Sequence, residues 1–147
     1  KNKFEKVNLA ARAVQNGVAS GADYQQFGEL LQKLSAEIMV GKRTVTSEEE
    51  RELLKEYSDL LQMYQDGFLL WKYKREFSSH DFVPKGRIYV GQDVEPLVGK
   101  YRLLTESHIY GPTQQPWKSI SEDSIRIIWS NANSQFDKIQ KLLTNQT

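Results

Sequence analysis

Two histidines, His80 and His108, and no cysteine make a short inventory for metal or nucleophilic chemistry. A carboxylate di-iron centre held between helices needs paired Glu-x-x-His motifs and two further glutamates. Here Glu76 precedes His80 by four residues and Glu106 precedes His108 by two, so neither histidine has that spacing. Haem ligation could draw on His80, His108, Met39 or Met63, but both methionines sit within helical apolar patterns, where Met serves as a gap-filler. The absence of cysteine removes disulfides, thiolate metal sites and a thiol nucleophile. Gly41-Lys42-Arg43-Thr44 has the flavour of a phosphate loop, yet it lacks the upstream glycine and the preceding strand. Asn145-Gln146-Thr147 spells a glycosylation sequon at the chain end. No catalytic residue, metal ligand or cofactor site is assigned from these patterns.

Charged and aromatic clusters offer binding chemistry instead. Glu48, Glu49, Glu50 and Glu52 fall within five successive helical positions, so they radiate around the helix and complement the dipole of its first turn. Trp71 to Phe77 interleaves aromatic and basic residues as single-strand nucleic-acid binders do. The same cations also suit a helix C-terminus, and a net charge of +1 supplies no electrostatic drive towards nucleic acid. The remaining candidates are Tyr89, Tyr101, His108, Tyr110 and Trp117. Each carries a hydrogen-bonding tip on an apolar body, the chemistry of a small-ligand pocket. They could equally form a packed lid, with Tyr101 and Trp117 buried, and that is the expectation.

The elements that would position these residues are mostly helical. Thr46 to Phe77 opens with a Ser47/Glu50 capping-box pattern, with Lys72, Lys74 and Arg75 in its last turns. Its apolar stripe is Leu54, Tyr57, Leu61, Tyr64, Phe68 and Trp71, widened by Leu53 and Leu60. Phe4, Val7, Ala11, Val14 and Val18 mark an earlier helix that Ser20-Gly21 ends. Asp23 with Gln26 caps the next, whose stripe is Tyr24, Phe27, Leu31, Leu34 and Ile38. A last helix is expected from Ser119 or Ser121, along Ile125, Trp129, Ala132, Phe136, Ile139 and Leu143. The boundaries are 3–19, 23–40, 47–77 and 121–144.

Between the last two helices, residues 78–119 hold all four prolines and four of the nine glycines. Arg87 to Val90 reads as a short extended piece, and Pro96 to Leu104 as a short helix with Pro96 in its first turn. The expected fold is therefore all-α: an up-down-up-down four-helix bundle in one domain, 1–147, with 78–119 as a long, partly irregular cap.

At 147 residues with 39% hydrophobic content, the chain can build a real core. It has no apolar run long enough to span a membrane. The functional expectation is a non-enzymatic protein acting by macromolecular interaction, with a protein partner and no nucleic acid. The alternative is a small-molecule binding module, its site between the cap and the bundle end. Partner and oligomeric state are left open. So is the compartment, although the absent initiator Met tilts the reading towards an exported chain.

Overall fold

The computed structural model describes residues 3–77 and 82–145. Five helices and three strands follow one another in those residues. They are α1 (Glu5–Ser20), α2 (Tyr24–Lys42), α3 (Glu48–Phe77), β1 (Arg87–Tyr89), α4 (Glu95–Lys100), β2 (Thr105–Tyr110), β3 (Gln115–Ser121) and α5 (Ser124–Asn145). Of the described residues 67% are helical, but a three-stranded antiparallel sheet overturns the all-α four-helix bundle.

Two compact units divide the chain: the described parts of Lys1–Gln65 and Trp129–Thr147, and a second unit, Asp66–Ile128. In the first, local signals act as read. Gly21 ends α1 at φ 78°, where Gly21 N–H donates to Val18 and Ala22 N–H to Gly17, so the last carbonyls are satisfied. Asp23 and Gln26 form a complete capping box, with bonds of 2.8 and 3.0 Å. At the start of α3, Ser47 Oγ accepts from Glu50 N–H (3.2 Å). The reciprocal bond shifts by one residue: Glu50 Oε1 accepts from Thr46 N–H at 2.8 Å, and Lys3 pairs with the same oxygen at 3.0 Å. The Thr46 bond first, and then Lys3, hold this carboxyl below its ordinary pKa.

The helical unit buries Val7, Ala11, Val14, Phe27, Leu31, Leu34, Ile38, Leu54, Tyr57, Leu60, Tyr64, Ala132, Phe136 and Ile139. Phe27, Tyr64 and Trp129 meet at centroid distances of 5.1 to 6.2 Å. Leu61 is only half-buried, so the stripe of α3 centres on Leu53, Tyr57, Leu60 and Tyr64. Gly41 lies inside α2 and is buried. Polar groups interlock as well: Tyr57 Oη donates to Asn8 Oδ1 (2.7 Å), which also accepts from Gln140 (2.8 Å).

The second unit is where the sequence reading fails. Its sheet has the order β1-β3-β2, antiparallel throughout. Ser119, expected in the cap of the last helix, pairs with both Tyr89 and Glu106 in the central strand, and β3 runs on to Ser121. Ladder bonds to two neighbours outweigh a capping preference worth about 1 kcal/mol. Pro116 lies where β1 does not reach, so β3 is an edge there, and edges tolerate proline. The extended piece at β1 and the Pro96 helix are both present. That helix is shorter than expected, ending at Lys100 before Arg102 turns to φ 54°.

Candidate functional site

Strand alternation sends Arg87 and Tyr89 of β1, Glu106, His108 and Tyr110 of β2, and Gln115, Trp117, Ser119 and Ser121 of β3 to one face. The other face carries Ile88 and Ile120, both fully buried. Thus four of the five candidates, Tyr89, His108, Tyr110 and Trp117, come together by register. Tyr101 does not. It caps α4 and is 9% exposed, and its hydroxyl donates to Asp66 Oδ2 at 2.6 Å. Lys100 Nζ reaches the same oxygen at 2.7 Å. Burial, then the Asp66 hydrogen bond and charge, push the Tyr101 phenol well above its ordinary pKa. Tyr101 is thus a clasp between α3 and α4. Trp117, expected to be buried, is half-buried. His80 lies outside the described residues.

Two residues missed in sequence complete the aromatic face. Phe77 ends α3, and Phe82 precedes β1. The Phe82 ring stands nearly perpendicular to Tyr89, Tyr110 and Trp117 (77°, 72° and 77°), with centroids 5.5 to 6.3 Å away. Tyr89 lies 5.4 Å from Phe77 and 5.6 Å from Trp117. Together with Gln115 and Pro116 these rings line a cleft of about 370 Å³, and no lining residue among those described is charged. Phe82 and Tyr110 are 40% and 38% exposed, so its rim is open to solvent. The Tyr89 and Tyr110 hydroxyls, the Trp117 indole N–H and the Gln115 amide make no hydrogen bond among the described residues. The signal that could have found this face was Gly111-Pro112-Thr113-Gln114, a turn between two runs bearing β-branched and aromatic residues.

At the other end of the face, His108 Nε2 lies 2.7 Å from Ser119 Oγ. This looks like the start of a nucleophile–base pair, but the surroundings say otherwise. Arg87 Nε donates to the same Oγ at 2.9 Å, and its guanidinium also donates to the Ser119 carbonyl at 3.1 Å. Ser119 Oγ is thus held between the guanidinium and the imidazole. Ser119 is fully buried and so cannot meet a substrate. Glu106 pairs with Arg87 at 3.5 Å, and His108 stacks on Trp117 at 4.2 Å and 20°. The network braces one wall of the aromatic cleft.

Among the described residues no three His, Asp or Glu side chains gather as metal ligands would. No described helix is long and apolar enough to cross a membrane. Family models, curated proteins and solved structures offer no match to this chain, so the site is read from its own geometry.

Proposed function

We propose that this protein acts by non-covalent binding of another macromolecule, which lays an extended segment into the aromatic cleft of the sheet. One observation carries this reading: among the described residues, polar tips without a hydrogen-bond partner surround a solvent-open cleft whose lining is aromatic and carries no charge. Large rigid side chains that join contact area to a hydrogen-bonding tip are what binding surfaces concentrate. Catalysis finds less support, since the hydroxyl beside His108 is buried and held by Arg87. The cleft volume also falls at the lower end of small-ligand pockets, which keeps a small uncharged molecule as the second reading.

Panning an unbiased displayed peptide library over the wild type and Tyr110→Ala tests the proposal. Peptides enriched on the wild type should lose most of their binding to the variant. No enrichment, or enriched peptides that bind both proteins equally, would overturn it.

A further inference from the structure

Building on that binding reading, we infer that the segment recognised by the aromatic cleft is proline-rich and bound as a polyproline II helix. Three features of the cleft lead there.

The first is its lack of charge. Among the described residues no cation or carboxylate lines it, so phosphate groups and acidic or basic peptides would gain no ion pair from them on entering. The second is ring geometry. A sugar or nucleobase stacks on a ring face that lies open and parallel to it. Here one face of Trp117 is covered by His108, and Phe82 stands edge-to-face with Trp117, Tyr89 and Tyr110. Rings set this way make a ridged floor, not a plate. A polyproline II helix is ridged to match: three residues complete each turn, so residues i and i+3 share a face about 9 Å apart.

The third feature is hydrogen-bond polarity. The Trp117 indole only donates, and the Tyr89 and Tyr110 hydroxyls and the Gln115 amide can donate. A proline-rich segment offers the complement. It makes no internal hydrogen bonds, its carbonyls are free, and proline has no N–H that would need a partner. Such a segment is also extended before it binds, so it loses little conformational entropy, which suits a small cleft.

The test is a titration of the full chain with a synthetic oligoproline about ten residues long, followed by calorimetry. A proline-free neutral peptide of equal length, a linear glucan oligosaccharide and choline serve as comparison probes. Oligoproline should bind saturably and more tightly than all three. Tyr110→Ala should weaken binding more than about tenfold, as loss of an aromatic anchor does. Trp117→Phe, which keeps an aromatic ring but removes the indole N–H and part of the contact area, should weaken it about fivefold. Far-UV circular dichroism and chemical denaturation show whether each variant is folded, and Tyr110→Phe is the fallback if Tyr110→Ala is not.

Oligoproline that fails to bind at millimolar concentration, or binds Tyr110→Ala as well as the wild type, overturns the inference. Tighter binding of the glucan, of choline or of the proline-free peptide overturns it too. The broader binding reading is judged separately, by the displayed library. A library that yields Tyr110-dependent peptides without proline would sink this inference and leave that reading standing.

Discussion

The helical unit and the sheet-bearing unit spend their aromatic and polar side chains in opposite ways. In the helical unit Tyr57 is fully buried and donates to Asn8, Gln140 closes on the same oxygen, and Glu56 accepts from Gln135 and Lys138. In the sheet-bearing unit the tips of Tyr89, Tyr110, Gln115 and Trp117 find no hydrogen-bond partner among the described residues around the cleft. The same residue type thus serves a core in one region and a surface in the other. The criterion is whether the tip finds a partner at home. A free tip on a half-exposed ring is chemistry left for something else to use.

The largest expected effects fall in the helical core. Leu60→Ala and Phe136→Ala should each cost about 2–5 kcal/mol in chemical denaturation, as filled core sites do. Leu61→Ala should cost less, because that side chain is only half-buried. Tyr110→Ala, at the cleft rim, should stay within about 0.5 kcal/mol while abolishing peptide binding. Equal costs at Leu60 and Tyr110 would erase the contrast between the two regions.

Next comes the clasp at Asp66. Tyr101→Phe leaves a buried carboxylate short of one donor and should cost about 1–3 kcal/mol. A cost near zero would show that Asp66 is satisfied without the Tyr101 hydroxyl.

Tyr57 and Tyr64 give a finer test within one unit. Tyr57→Phe loses a hydrogen bond and should cost about 1 kcal/mol. The Tyr64 hydroxyl is buried without a partner, so Tyr64→Phe should be neutral or stabilising. Burial raises both phenols above their ordinary pKa. A raised folded-state value means the stabilisation is complete below the unfolded pKa, about 10, and is lost as pH rises through the folded one. Ultraviolet titration should therefore show these two phenols ionising only with alkaline unfolding.

Glu50 should give the smallest effect, with the opposite sign. Its folded value is depressed, so its contribution is present above the unfolded carboxyl pKa of about 4.3 and fades as pH falls through the lower folded value. The stability gap between the wild type and Glu50→Gln should narrow on acidification. A gap that widens would mean the Thr46 and Lys3 contacts are not what lowers this carboxyl.

How much was legible follows the range of the interactions involved. The Asp23/Gln26 box, the Gly21 terminus and the stripes of α1 and α2 depend on residues at most a few positions apart, so spacing alone reveals them. The candidate site was legible as a set of residue types but not as a place. His108 meets Trp117 and Ser119 only through β2–β3 register, and Tyr101 leaves the group only because Asp66, on α3, lies within reach. β2 was hidden because its residues are nearly all exposed and show little alternation, and β3 because it contains a proline.

By itself, then, the sequence determined four long helices and most of their buried faces, because helical order is written in contacts at three- and four-residue spacing. Tertiary structure alone decided that Ser119 would sit in a central strand and not cap a helix. It also decided that four scattered aromatic and imidazole rings would share a face with Phe77 and Phe82. The physical reason is that a strand's partners are remote in sequence. Its ladder bonds and cross-strand packing come into being only when the neighbours arrive, and they then outweigh the local preferences that reading the sequence must rely on.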